Sequence, residues 1–205
     1  GIASQSGKYN LNLGGGTVVA KAGWTSTLNM NLTNLNGSVM FDTAGNAVSL
    51  GGVLSGNGGL NKKGAGALTL TNANTYSGAT IVYTGDVAIA HANALGVGNV
   101  AVANSARLLV SGNISVTNTL ALGSEVPAYN NQLLSTSGSN IWGGPITVGG
   151  SSIAVSFGST LRITNGVSGA SYCSFAASGL AIIEKRPITL ANQTVFFGGG
   201  VAGVI

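Results

Sequence analysis

The sequence predicts an all-β chain, and within that class a parallel β-helix, or β-solenoid, of roughly 20 residues per coil. Three observations lead there. Charged residues are only 6% of the chain, whereas exposed helix faces are built from lysine, glutamate and arginine. There are 34 glycines, and a glycine inside a helix costs about 1 kcal/mol relative to alanine. Short β-type runs recur at a step of about 20 residues, as a stack of similar coils requires.

The runs come in order along the chain: "AVSL" (47–50), "ALTL" (67–70), "TIVY" (80–83), "DVAIA" (86–90), "VAVA" (100–103), "RLLV" (107–110), "ISV" (114–116), "LAL" (120–122), "PITV" (145–148), "IAV" (153–155) and "LRIT" (161–164). Gly, Asn, Ser or Asp bounds each one, and these residues tolerate the backbone of a tight corner. Leu60 and Ile81, Leu68 and Val87, Ile81 and Val100, and Val87 and Leu108 are one period apart. A β-sandwich would show longer strands and hairpin turns at closer spacing. In a coil, alternate side chains point inward, so Leu68, Leu70, Ile81, Val87 and Ile89 are expected to stack in ladders. Stacked asparagines are expected to bond from coil to coil. With strands about 4.8 Å apart, the whole chain would make a rod on the order of 45–50 Å long.

Residues 1–205 read as a single solenoid segment, with a recognisable repeat at 52–96 and a degenerate copy near 160–205. Leu60 with Leu180, Leu70 with Leu190, Asn72 with Asn192 and Gly78 with Gly198 share one long offset. Pairing "PITL" (187–190) with "PITV" (145–148) is an alternative register for the tail. The stretch "ASYCSFAASG" (170–179) breaks the pattern and is the expected place for a projecting loop.

The net charge is +4. Lys8, Lys21, Lys62, Lys63, Arg107, Arg162, Lys185 and Arg186 are scattered in sequence, which argues against the dense basic stripe of a nucleic-acid binder. No apolar run is long enough for a transmembrane helix. Cys173 is the single cysteine, so no disulfide forms within the chain. The start at Gly1, without methionine or leader, reads as excision from a longer chain.

Groups able to do chemistry are few. Asp42 and Asp86 are two coils apart, about 10 Å if they share a column, near the spacing of an inverting carboxylate pair. Both sit in turn-like contexts, "FDTAGN" and "TGD", where aspartate caps a corner. His91 is the only histidine and cannot build a metal site alone, so it reads as a corner residue. "GNGGLN" lacks the aspartate of a calcium nonapeptide. Cys173, beside Tyr172 and Phe175, reads as a buried inert thiol rather than a nucleophile. Lys62 and Lys63 offer an anion site or, as the plainer expectation, cations that keep one outer face soluble. Trp24, Trp142 and Tyr129 are candidate carbohydrate platforms, with core or corner packing favoured.

The stretch "GVLSGNGGLNKKGAGALTLTNANTYSGATIVYTGDVAIAHANALG" (52–96) resembles the autotransporter-associated β-strand repeat, of pattern G-G-L-x-K-x-G-x-G-x-L-x-L-x-x-x-N-x-Y-x-G-x-T-x-V. The matching positions are Gly58, Gly59, Leu60, Lys62, Gly64, Gly66, Leu68, Leu70, Asn74, Tyr76, Gly78, Thr80 and Val82. The resemblance implies a right-handed β-helix from the secreted passenger of a Gram-negative autotransporter, carried to the cell surface by a β-barrel that this stretch does not show. It also implies that the motif residues are structural, with no catalytic, cofactor or metal residues to transfer. The function expected is a non-enzymatic stalk or adhesive segment at the cell surface. Self-association through strand edges, or a host surface or glycan ligand, would be its partners. The alternatives are a polysaccharide lyase or hydrolase on the same coil, and a phage fibre module.

Overall fold

The computed structural model describes residues 11–123, 131–169, 173–183, 188–190 and 195–199. They form a β-solenoid of parallel strands, about eight turns of ~21 residues, with no helix among the described residues. Each turn contributes to three faces.

The first face is a nine-stranded sheet of Thr17–Val19, Val39–Asp42, Leu60–Lys63, Thr80–Val82, Val100–Val102, Leu120–Leu122, Ile146–Val148, Val167–Gly169 and Ile188–Leu190. The second, also nine-stranded, contains Trp24–Ser26, Val48–Leu50, Ala67–Leu70, Gly85–Ile89, Ala106–Ser111, Asn131–Ser137, Ser151–Val155, Cys173–Ala177 and Val195–Gly199. The third face is split into a sheet of Leu11–Leu13, Met30–Leu32 and Leu54–Ser55 and a sheet of Ser115–Val116, Ser139–Trp142, Thr160–Ile163 and Leu180–Ile183. Between them the stack continues without regular strands, through Thr75 N–H to Leu54 O and Val97 N–H to Tyr76 O.

Side chains alternate in and out with the two-residue period of a strand. On the second face, Val48, Leu68, Val87, Leu108, Leu133, Ile153 and Phe175 form one inward ladder. These residues are all buried. Leu50, Leu70, Ile89 and Val110 form a second. Each residue is thus covered above and below by a similar one, so a narrow coil makes a continuous core.

Three sequence expectations need correction. Ile81 is not inward: it is half-buried on the outer side, and Thr80 and Val82 face the core. Leu60 pairs with Thr80, and Thr80 with Val100, so the expected register was one residue out; a one-residue slip exchanges the two faces of a strand. A bond between Thr80 Oγ1 and Tyr76 Oη, 2.6 Å, lets the threonine hydroxyl sit inside in place of the isoleucine.

Second, 173–177 is no projecting loop. It is a core strand paired with Ser151–Val155, and Cys173 and Phe175 are buried; residues 170–172 lie outside the described ones. The longest step occurs earlier. Leu120 pairs directly with Ile146, a step of 26 residues, where Val100 to Leu120 takes 20.

Third, the tail follows the alternative register. Ile146, Val167 and Ile188 occupy one column, which sets "PITL" two coils from "PITV". Leu180 stands on the third face, whereas Leu60 stands on the first.

Candidate functional site

The repeat positions gather around two corners of adjoining coils. At the corner between the first and second faces stands Lys62. Its neighbours in the strand direction of the stack are Phe41 and Val82, so it occupies a core position and is 0% exposed. This overturns the expectation that Lys62 helps keep an outer face soluble. The chain folds it inward because the strand "LNKK" places Leu60 and Lys62 on one side, and Leu60 is anchored in the core. Its Nζ donates to Lys63 O (3.0 Å), Gly64 O (2.7 Å) and Thr84 O (2.9 Å). An ammonium has three protons, and all three have a carbonyl. Burial pushes the amine down to about 8, while Asp86 and Asp42 pull the other way.

Two motif glycines, Gly64 and Gly66, and Gly85 beyond the motif make this cage possible. Gly64 has φ +84 and Gly85 φ +72, in the left-handed region that glycine enters freely. A Cβ on Gly85 would come within 2.9 Å of Lys62 Nζ. One on Gly66 would strike the backbone of Asn46, with its carbonyl carbon and nitrogen both at 2.6 Å. Thr43, fully buried, closes the cage from the preceding coil by donating to Lys63 O or Gly66 O.

Where the chain passes from the second face to the third, Asn74 spans three coils. Its Oδ1 accepts from Leu54 N–H (2.8 Å), and its Nδ2 donates to Ala94 O (2.6 Å). The buried Tyr76 hydroxyl meets Thr80, whose hydroxyl reaches Leu95 O. Burial raises the Tyr76 pKa well above the ordinary phenol value. Gly59 and Gly78 lie under backbone: a Cβ on Gly59 would meet Ala79 O at 2.6 Å, and one on Gly78 would meet Gly58 O at 2.6 Å. Leu60, Leu68 and Leu70 are core. Asn31 and Asn12 do stack side chain to side chain, but Asn74 and Asn118, the more buried ones, bond instead to backbone of neighbouring coils.

The remaining candidates disperse. Asp42 and Asp86 do not share a column: Asp42 is on the first face and Asp86 on the second. Asp42 pairs with Lys63 (3.4 Å), and Asp86 holds Arg107 bidentately (2.8 and 2.7 Å). His91 is the corner residue expected, its Nδ1 accepting from Asn93 N–H. Cys173 is buried, and burial pushes its thiol up to about 12. Trp142 is a core residue whose Nε1–H donates to Asn118 O (3.2 Å), and Trp24 packs partly buried against the core; Tyr129 lies outside the described residues. Among the described residues no three His, Cys, Asp or Glu gather as metal ligands, and no helix is long and apolar enough to cross a membrane.

Sequence reading missed one feature. Lys21, Asp42, Lys62, Lys63, Asp86 and Arg107 all stand along the corner between the first and second faces; of the charged residues described, only Arg162 stands elsewhere. The signal was present, since Lys21, Asp42 and Lys63 follow one another at the coil period, as do Asp86 and Arg107.

A parallel solenoid whose repeated polar residues are spent on backbone of adjacent coils defines a structural repeat protein. Residues 60–89 match the family model of the passenger-associated transport repeat. Over 160 residues the chain is 27% identical to the "Adhesin BmaC autotransporter" of Brucella suis biovar 1 (strain 1330), a match covering 77% of this chain and 4% of that protein. The chain therefore spans a small fraction of the length of this relative. No solved structure matches the chain. Autotransporter passenger adhesins of this kind are secreted and displayed on the Gram-negative cell surface.

Proposed function

We propose that this chain is a non-enzymatic stalk segment of a secreted, surface-displayed adhesin, which holds adhesive surface away from the cell. The repeat-motif residues Gly59, Leu60, Lys62, Gly64, Gly66, Leu68, Leu70, Asn74, Tyr76, Gly78 and Thr80 act in it as structural parts. One observation carries the reading: the conspicuous polar groups of the repeat, Lys62, Asn74, Tyr76 and Thr80, are buried and consumed by bonds that join the repeat together, coil to coil in the first two. Groups spent in this way stiffen a rod and are not presented to a substrate.

The similarity to an adhesin supports the adhesive part. The described strands at the two ends, Thr17–Val19 and Trp24–Ser26 at one and Ile188–Leu190 and Val195–Gly199 at the other, terminate their sheets. Such edges pair with further coils or with another copy. The test is to delete residues 11–123 from the parent passenger and measure surface display and adherence separately. Display retained with adherence weakened is expected. Adherence unchanged at equal display would overturn the reading, as would hydrolytic or lyase activity on polysaccharides by the intact chain that Asp42→Ala or Asp86→Ala abolishes.

A further inference from the structure

Asparagine followed by glycine occurs three times in the chain, at Asn36-Gly37, Asn57-Gly58 and Asn165-Gly166. Such a pair is chemically labile, because a glycine nitrogen with no side chain beside it can reach the carbon of the asparagine amide. The coils hold the three pairs differently. Gly58 is buried, and its N–H donates to Leu32 O of the preceding coil at 2.7 Å. It is so closely packed that a Cβ there would meet Asn34 N at 2.8 Å. Gly166 is buried too, and it leads directly into Val167, a core residue paired with Ile146 and Ile188.

Asn36-Gly37 stands apart. Asn34, Leu35, Asn36 and Gly37 are all exposed. They belong to the turn that carries the chain from the third face, ending at Leu32, to the first, resuming at Val39. Nothing lies within 4 Å of a Cβ built on Gly37. Its N–H donates within the turn, to Asn34 O at 3.1 Å, so freeing that nitrogen parts no coils. Asn34 at φ 58 and Asn36 at φ 63 hold a left-handed backbone, which costs a residue with a side chain some stability. The Asn36 carbonyl rests on Gly15 of the preceding coil, where a Cβ would meet it at 2.5 Å. The turn is therefore free to move on its Gly37 side.

We propose that Asn36 is a site of spontaneous deamidation in the folded protein, and that its corner tolerates both products. The Gly37 nitrogen, losing its proton to a solvent base, attacks Asn36 Cγ. The new C–N bond closes a succinimide ring, and the side-chain nitrogen leaves as ammonia. Water then opens the ring at either carbonyl, giving aspartate or, with the main chain rerouted through Cβ, isoaspartate. One water enters and one ammonia leaves, with no change of oxidation state. Rerouting lengthens the backbone by a methylene at an exposed turn, while Met30–Leu32 and Val39–Asp42 keep their partners on either side. The new carboxylate lowers a net charge of +4 by one unit, so the charge of the surface changes with its age.

The experiment incubates the full chain in mildly alkaline and in mildly acidic buffer, then maps its peptides by mass spectrometry. Isoaspartate is labelled with an isoaspartyl methyltransferase. Conversion of Asn36 is expected, faster in the alkaline buffer. It should run about 10-fold or more ahead of Asn57 and Asn165, whose reaction waits on local opening of a coil. In urea the three sites should react at similar rates, since the fold and not the sequence separates them. Asn36→Gln should abolish the reaction there and leave the other two rates unchanged. Exchange protection of Met30 N–H and Val39 N–H, which bond to Val53 O and Gly59 O, should survive the modification. Asn36 left intact in the folded chain, or reacting no faster than Asn57 and Asn165, overturns the proposal. So does the same preference for Asn36 in urea, or protection at Met30 and Val39 lost once Asn36 has reacted.

Discussion

Replacing Lys62 by methionine tests whether a buried cation organises the repeat. The methionine keeps most of the aliphatic volume between Phe41 and Val82 and removes the ammonium. Of the three carbonyls that lose a donor, Lys63 O retains Thr43 N–H at 3.0 Å; Gly64 O and Thr84 O lose the ammonium bonds of 2.7 and 2.9 Å. A buried acceptor left without a partner costs about 1–3 kcal/mol, so the two carbonyls together predict a loss of about 2–6 kcal/mol at the junction of coils 60–66 and 80–86. Against this stands the relief from desolvating a charge, which in other proteins makes a hydrophobic replacement neutral or stabilising.

Because a solenoid opens repeat by repeat, the informative assay is hydrogen exchange at Gly64, whose N–H donates to Thr84 Oγ1. Lys62→Met should speed its exchange by about two orders of magnitude, at 1.4 kcal/mol per tenfold. The pH dependence gives an independent sign. The folded amine sits near 8, below its unfolded value of 10.5. Between those values the unfolded chain holds more protons, so the native protein gains stability with rising pH relative to Lys62→Met, by up to about 1.4 kcal/mol per pH unit. Unchanged exchange at Gly64 would refute the carbonyl cage as the reason for the lysine, and a stability difference that falls over pH 8–10.5 would refute the lowered amine.

Other outcomes follow from the same geometry. Asn74→Ala leaves Leu54 N–H and Ala94 O without a partner and should cost about 2–6 kcal/mol, read as lost exchange protection at Leu54. Gly66→Ala drives a methyl into the Asn46 backbone, whereas Gly51→Ala meets its nearest atom at 3.5 Å; thermal melts should show the first lowering stability by more than about 3 kcal/mol and the second by less than about 1 kcal/mol. Cys173, buried and with its thiol raised to about 12, should resist a thiol reagent at pH 8 in the folded chain and react at once in denaturant.

The sequence by itself determined the class of the fold and the content of its core. Glycine, asparagine and β-branched runs at a coil-length step admit few other arrangements, and Leu68, Leu70, Val87 and Ile89 fall inside because alternation and period both demand it. The repeat was legible for the same reason, since each motif residue recurs in a local pattern. What the tertiary structure alone decided concerns relations between coils. Whether Ile81 or Thr80 faces the core depends on a hydroxyl partner at Tyr76, and whether Lys62 is solvated by water or by carbonyls depends on where Thr84 falls one coil later. Hydropathy assigns a lysine and a threonine to the outside; a neighbouring coil that supplies their hydrogen bonds reverses that assignment. In the same way, residues scattered along the chain converge on one edge only when each coil lies in register on the last.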